Sequence, residues 1–442
     1  MIDNITEYLE QFYTGMKDTS LSRMKIIVEK AELKNKDLKI IHVAGTNGKG
    51  SCTEMISNIL VKQGYKVGKI MSPHLMRFNE RISVNNINIK DEELLSIFNL
   101  NDKIIKDVEK ETNTKVSFQE IILITALTYF DMKKCDFAIM EVGCGGKYDP
   151  TNIVNPIISV INTINYDHTD ILGNTLEEIT ENKAGIIKEF SNTIFVKQED
   201  SINNIIINTC NKRNNKLKLL DMNDVYDYSY DENYQTFSYK EYKDIKINLK
   251  GKQQIKNAII SIECINVLRD KKFEIGEEAI RNGLKSVIHK GRMEIIHNNP
   301  IIIFDGAHNE NAMRNFINTS NMYYKNRNRI YIFSALKRKD YSKLVNIIIE
   351  DKKATFIFHD GIKKSFNKKL EYVDSHILVK IANSINKNVK VKEMDFKEAI
   401  AFAKEQKDSV VFIIGSLYLY KDAVKYINSK NKIKRNGLRN EG

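Results

Sequence analysis

Residues 40–60, IIHVAGTNGKGSCTEMISNIL, constrain the fold more than any other stretch of the chain. An apolar run at 40–43 stops abruptly at Gly45-Thr46-Asn47-Gly48-Lys49-Gly50-Ser51. Beyond the glycines, Met55, Ile56, Ile59 and Leu60 recur at helical spacing, and Gly64 is placed to end that helix. The pattern is strand, glycine-rich turn, helix. Such a turn aims backbone N–H groups and the positive end of a helix at one point, which suits a phosphate. Lys49 adds a point charge for the outer phosphates, and the Ser51 hydroxyl is a candidate magnesium ligand. The generic P-loop spacing requires glycine at 43 and Ser or Thr at 50, where Val43 and Gly50 stand. An extra glycine therefore separates the lysine from the serine. A purely structural turn is the plain alternative, but the flanking strand and amphipathic helix, with Lys and Ser both present, favour a nucleotide.

This variant resembles the turn of the Mur ligase superfamily, whose members make amide bonds with ATP. HVAGTNGKGS is similar in particular to the folylpolyglutamate synthase/dihydrofolate synthase branch. Further along, Ser72-Pro73-His74-Leu75 and Glu80-Arg81-Ile82 read by themselves as a polar loop and hairpin. By resemblance they form a loop near the folate. Ser117-Phe118-Gln119-Glu120 opens an apolar helix predicted over 117–130. Unaided, Phe118 is core and Glu120 a first-turn helix charge; the resemblance places Phe118 and Glu120 near the pterin and metal.

A strand predicted over 137–142 delivers Glu141 into a turn ending Gly145-Gly146-Lys147-Tyr148-Asp149. A carboxylate at a strand's carboxyl end beside such a turn is where α/β enzymes hold Mg²⁺. The family pattern there is EVGLGGR-x-D, so Cys144 and Lys147 are departures, and Lys147 with Asp149 are expected at the substrate. Lysine lacks arginine's bidentate grip, so affinity or specificity is expected to differ. After a strand at 157–163 comes Asp167-His168-Thr169-Asp170-Ile171-Leu172-Gly173. A lone histidine after a strand is more often structural; by resemblance His168 ligates a second metal ion. Residues 179–188 are read as the start of a helix carrying Lys183, which the family aligns with a carbamylated lysine. The family run G-x-H-Q-x-x-N-A appears with Gln253 in place of histidine and with Gln254 and Asn257 kept, Asn257 being the candidate to read adenine. Gly291-Arg292-Met293-Glu294 precedes a second α/β unit, whose first strand at 300–304 ends in Asp305-Gly306-Ala307-His308-Asn309. By resemblance Arg292 and Asp305 face the nucleotide and His308 the transferred phosphoryl group.

The fold class expected is α/β in two domains. An N-terminal P-loop-type parallel-sheet domain, the ATP-binding central domain, spans 1–293, and a smaller Rossmann-like glutamate-ligase domain spans 294–442. Residues 1–39 read as a helical lead-in, 91–111 as an amphipathic helix, 201–221 as helix and loop, and 226–249 as an antiparallel insert. Apolar strands at 330–333, 354–358 and 410–414 alternate with helices at 342–350 and 396–405, which implies a parallel sheet covered on both faces. Gly415-Ser416-Leu417-Tyr418-Leu419 is similar to the family's last motif, and the basic tail 430–442 is expected to be disordered. Motifs at strand ends in both units imply a site in the cleft between domains.

Composition narrows the rest. A chain of 442 residues with 42% hydrophobic content fits two or three cores. The net charge of +12 comes with Lys and Asn throughout and no aromatic–basic module, so nucleic acid is not the expected partner. Such a charge also steers ATP and polyanionic substrates. No stretch approaches the ~20 apolar residues that cross a bilayer, and no apolar leader follows a basic start, so a cytoplasmic protein without a membrane partner is expected. A monomer is the expected state. The five cysteines are scattered without a CxxC pair, so reduced thiols are expected.

The resemblance implies an ATP-dependent ligase adding L-glutamate to a reduced folate in γ-linkage, with dihydropteroate as a second acceptor. ATP and two Mg²⁺ ions are the implied cofactors. Lys49 and the turn hold phosphates, Ser51 and Glu141 one metal, His168 and carbamylated Lys183 the other. Two rivals remain at this point: a ligase with a UDP-muramoyl acceptor, against which SPHL argues, and a non-catalytic nucleotide-binding regulator.

Overall fold

The computed structural model describes residues 4–12, 21–362 and 370–429; the tail 430–442 lies outside the described residues. The chain divides into two compact units, Met1–His289 and Lys290–Gly442.

In the first unit an eight-stranded sheet runs, in spatial order, Ile87–Asn88, Ile82–Val84, Val67–Ile70, Phe137–Glu141, Lys39–Ala44, Ile158–Ile161, Asn192–Val196 and Lys216–Leu220. Six strands are parallel, and the Ile82–Ile87 hairpin adds an antiparallel edge. The inner parallel strands are largely apolar because both of their faces are covered. On one side the helices Lys49–Gln63, Lys252–Asp270 and Glu277–Lys285 bury Met55, Ile56, Ile59, Ile259, Ile262 and Ile280 against Ile41, Val43 and Val160. On the other, the helices Asp91–Thr112 and Phe118–Lys133 bury Leu94, Phe98, Ile121 and Phe130 over Met140 and Ala138. Each such aliphatic or aromatic side chain contributes on the order of 1.5–3 kcal/mol. Lys39–Ala44 sits mid-sheet, with the chain leaving first to one side and later to the other. That strand-order reversal is where α/β sheets open a crevice beyond the strands' carboxyl ends.

Two expectations from the sequence are corrected by the fold. Lys183 lies in the last turn of the helix Leu176–Ala184, whereas 179–188 was expected to start a helix. Thr175 starts the helix earlier, its hydroxyl accepting the Glu178 N–H while the Glu178 carboxylate accepts the Thr175 N–H. The helix stops where Gly185 meets Lys147, since a Cβ there would lie 2.5 Å from the Lys147 Cα. The stretch 201–221, expected as helix and loop, also contains the edge strand Lys216–Leu220, and a further strand, Asn192–Val196, precedes it. The strand Lys216–Leu220 is short and lysine-bearing, a common edge-strand composition that weakens its apolar signal.

A three-stranded antiparallel sheet, Val225–Tyr230, Gln235–Tyr239 and Tyr242–Ile247, packs on the helix Lys252–Asp270. Between them Glu263 is buried, accepting from Tyr239 Oη at 2.8 Å and Lys240 Nζ at 2.6 Å, with Lys218 Nζ at 2.7 Å. Burial pushes its carboxyl up, but the hydrogen bonds from Lys218, Lys240 and Tyr239 together outweigh that and hold it below the ordinary value. A lowered folded pKa gives stability that is present above the unfolded value of about 4.3 and is lost as pH falls through the folded one. Glu263→Gln is therefore expected to lower Tm near neutral pH, with the gap to wild type closing below about pH 4. Thermal unfolding across a range from about pH 3 to about pH 7 checks this, and a gap that stays constant contradicts it.

The second unit carries a six-stranded sheet in the order Glu294–Asn298, Ile301–Phe304, Ser409–Ile414, Asn328–Phe333, Thr355–Phe358 and Lys390–Glu393. All but the first strand are parallel. Its core stacks Tyr331 on Phe356 and Phe412, with Phe316 edge-on to Tyr331. Among the described residues no helix is long and apolar enough to cross a membrane.

Candidate active site

The turn after Lys39–Ala44 is tightly packed and held in one shape. Gly48 has φ +84°, and a Cβ there would meet Asn162 Nδ2 and Asn257 Oδ1 at 2.5 Å, so only glycine fits. The segment 162–165 straps the turn from the next strand: Thr46 N–H donates to the Thr163 carbonyl at 2.7 Å, and Thr46 Oγ1 to that of Asn165 at 2.9 Å. Lys49 opens the helix Lys49–Gln63 and folds its ammonium back over the turn, donating to the Gly45 carbonyl at 3.0 Å. Ser51 is nearly buried, its hydroxyl 2.9 Å from His289 Nδ1.

Asn257 does not point outward. Its Oδ1 accepts from Asn162 Nδ2 at 2.8 Å and its Nδ2 donates to Gln254 Oε1 at 2.9 Å, all buried beneath Gly48. With a hydrogen bond at each end of its amide, Asn257 supports the turn from below.

Glu141 ends the strand beside Lys39–Ala44, in register with Val43, and accepts the Ser72 N–H at 2.9 Å. That bond ties the SPHL loop to the sheet's carboxyl edge; the Ser72–Pro73 peptide is cis. Arg81 Nε donates to His74 Nδ1 at 2.8 Å, and its guanidinium lies 5.2 Å from the centre of the Phe118 ring. Ser72, Arg81, Glu141 and Asp149 line one pocket with Met71 and Gln119. Gln119 carries no sequence signal of its own, although it follows directly on Phe118. Glu120 turns the other way: its carboxylate accepts from Arg23 Nη2 at 2.8 Å and from the Ser117 hydroxyl at 2.7 Å. This buried pair anchors the helix start to the lead-in helix and occupies the group expected at the substrate.

Asp149 is likewise engaged by backbone. It accepts N–H bonds from Gly143 and Cys144 and from Thr151, each at 3.0 Å, and so shapes the glycine turn. Burial pushes its carboxyl up against those hydrogen bonds. Lys147 is exposed, its ammonium 5.1 Å from the centre of the Tyr148 ring.

Lys183 is 3% exposed. Burial first, and the Lys49 ammonium second, bring its amine down to about 7. His168 stands before the one-turn helix Thr169–Leu172 at φ +50°, a strained setting for a side-chain-bearing residue. Its backbone N–H donates to Asp167 Oδ1 at 2.9 Å. Among the described residues no group of three or more His, Cys, Asp or Glu is gathered as a metal site. The hydroxyl of Ser51 and the carboxylate of Glu141 are nevertheless hard oxygen donors, which suit magnesium when water and phosphate complete its shell.

In the second unit, Asp305 follows the strand Ile301–Phe304 and accepts N–H bonds from Met293 and Ala307, each at 2.9 Å. Burial raises its carboxyl while the Arg292 charge opposes. Arg292 packs on Gly306, where a Cβ would lie 2.6 Å from its Nη1. His308 Nδ1 lies 2.7 Å from the Gly306 carbonyl. A carbonyl only accepts, so Nδ1 carries the proton. Asn309 then caps the helix Glu310–Tyr324.

The architecture and these strand-end groups have known counterparts. The family description Mur ligase middle domain matches residues 43–265, and Mur ligase, glutamate ligase domain matches 291–417. Dihydrofolate synthase/folylpolyglutamate synthase of Bacillus subtilis is 33% identical over 411 residues, covering 91% of this chain and 93% of its own. The chain belongs to the Mur ligase family, in its dihydrofolate synthase/folylpolyglutamate synthase group. The Thermotoga maritima folylpolyglutamate synthase structure superposes with a TM-score of 0.81 at 27% identity, over 96% of each chain. Escherichia coli FolC in complex with DHPP and ADP gives 0.80 at 25% identity, also over 96% of each chain.

In this Mur ligase the glycine turn, Glu141 and the SPHL loop lie at the carboxyl edge of one sheet. His289 and Asn162 escape a reading of the sequence because each acts on the turn from a segment far away along the chain. Only the partner, never the spacing, identifies such residues.

Proposed function

We propose that this chain is an ATP-dependent ligase that joins L-glutamate, through its amine, to a carboxylate of a reduced folate in γ-linkage, and to dihydropteroate as a second acceptor. The observation that carries this is the glycine-rich turn after Lys39–Ala44 beside Glu141, with the SPHL loop tied to that carboxylate. The curated relatives that match nearly the whole chain are synthases of this group, and the ADP held by the Escherichia coli relative supports ATP as co-substrate.

The chemistry needs such groups. A carboxylate is a poor acyl donor, so its oxygen first takes the γ-phosphoryl group of ATP, releasing ADP and leaving an acyl phosphate. The glutamate amine then attacks the acyl carbon, loses a proton, and phosphate departs with one former carboxylate oxygen. Moving a phosphoryl group between anions calls for positioning and cations, not a protein nucleophile. Lys49 and the N–H groups of Gly45, Asn47, Gly48 and Gly50 are assigned to the phosphates, with Thr46 holding the turn to the segment 162–165 and Asn257 supporting it from below. Ser51 and Glu141 are assigned to one magnesium ion, and His168 with carbamylated Lys183 to a second. When bound, these ions supply charge neutralisation of the phosphates and the developing acyl phosphate. Ser72, Pro73, His74, Arg81, Phe118 and Lys147 are assigned to the folate side. Glu120 and Asp149 hold the surrounding structure. In the second unit Arg292 and Asp305 are assigned to the nucleotide and His308 to the phosphoryl in transit.

The test is ADP release with and without L-glutamate, with dihydropteroate and tetrahydrofolate as parallel acceptors. Release that ignores glutamate sinks the ligase reading; release with one acceptor only narrows it. His308→Ala is expected to lower kcat by about 10²-fold while leaving ATP affinity nearly intact, because a contact made in the transition state appears in turnover. An equal loss in ATP affinity reassigns His308 to nucleotide binding.

A further inference from the structure

His289 reaches the nucleotide turn from the far end of the first unit, and several contacts fix it there. The helix Glu277–Lys285 lies tightly on Lys49–Gln63: a Cβ on Gly283 would come within 2.6 Å of the Ile59 Cα. Asn58 Nδ2, on that same helix, donates to the Gly283 carbonyl at 2.7 Å and to Ser286 Oγ at 3.1 Å. Val287 is buried in the core. The chain is thereby led back along the helix to its first turn, where His289 Nδ1 lies 2.9 Å from Ser51 Oγ. The ring also lies close on Gly50, where a Cβ would meet His289 Cε1 at 3.0 Å, a tight contact. The additional glycine between Lys49 and Ser51 thus leaves space for an imidazole.

We propose that His289 is a positioning residue for the Ser51 hydroxyl, accepting its proton in a hydrogen bond so that the oxygen lone pairs face a divalent cation. A hydroxyl has one hydrogen and two lone pairs. When the oxygen ligates a cation, the O–H still needs an acceptor, and a buried one left without a partner is penalised. Nδ1 is that acceptor, on a ring that packs against Gly50. Groups behind a metal ligand commonly govern metal affinity by orienting the ligand. This role rests on the assignment of Ser51 to magnesium made above.

The test measures ADP affinity by calorimetry on the full chain, in excess Mg²⁺ and in EDTA, for wild type, His289→Phe and His289→Asn. Phe keeps a ring over Gly50 without an acceptor; Asn restores an acceptor without the ring. Wild type is expected to bind ADP more tightly with Mg²⁺. His289→Phe should lose about tenfold of that magnesium advantage, with affinity in EDTA unchanged, and His289→Asn should retain most of it. An undiminished advantage in His289→Phe, or an equal loss in EDTA, overturns the role of His289. A wild type indifferent to magnesium overturns instead the assignment of Ser51 to the metal.

Discussion

Lys49→Ala loses on the order of 10²–10³-fold in glutamate-dependent ADP release while its thermal unfolding stays close to wild type. The ammonium makes its contacts to carbonyls of its own turn, the Gly45 oxygen at 3.0 Å and the Thr46 oxygen at 3.4 Å. Those bonds are local and leave the core untouched, since Cys52, Met55 and Ile56 bury the helix independently of the lysine. Its proposed larger task is to stabilise negative charge on the phosphates, most of all while the phosphoryl group is between oxygens. Steady-state turnover with saturating ATP separates this from weaker binding. Near-normal turnover in the variant contradicts the phosphate role.

Lys183→Ala is expected to lose at least about 100-fold in turnover and to be partly rescued by short carboxylic acids. The side chain is buried where a bare ammonium gains no salt-bridge partner among the described residues, and where the Lys49 charge opposes it. An ammonium has no lone pair for a metal. The neutral amine, favoured by that burial, can attack carbon dioxide at carbon, releasing one proton and leaving a carbamate with two oxygens. The carbamate turns a cation into an anion suited to a hard ion. Wild-type activity should fall when bicarbonate is rigorously removed and return when it is restored. Full activity in Lys183→Ala, or mass analysis of active protein showing a bare amine at 183, contradicts the carbamate.

Much of the fold was legible because parallel strands buried on both faces leave short runs rich in β-branched residues, as at 158–161 and 410–413. The strand Lys216–Leu220 was not, because an edge strand alternates lysine with leucine and needs no buried face of its own. At the site, the glycine turn was legible from spacing, since φ and close packing at Gly48 admit nothing else. The direction in which a side chain points was not. Glu120 follows Gln119 by one residue, yet a helix turns about 100° per residue, so Gln119 lines the pocket while Glu120 pairs with Arg23. Asn257 shows the same limit: its neighbours in space, Asn162 and Gly48, set its role, and no spacing within its own helix reports them.

Glutamate ligation through an acyl phosphate is tested most directly by one isotope experiment. Dihydropteroate and tetrahydrofolate carrying ¹⁸O in the reacting carboxylate are turned over with ATP and L-glutamate, and the released phosphate is analysed by mass. One ¹⁸O atom is expected in each phosphate released with a productive acceptor, together with a product extended by one glutamate. Phosphate free of label, or label release without L-glutamate incorporation, contradicts the acyl-phosphate route.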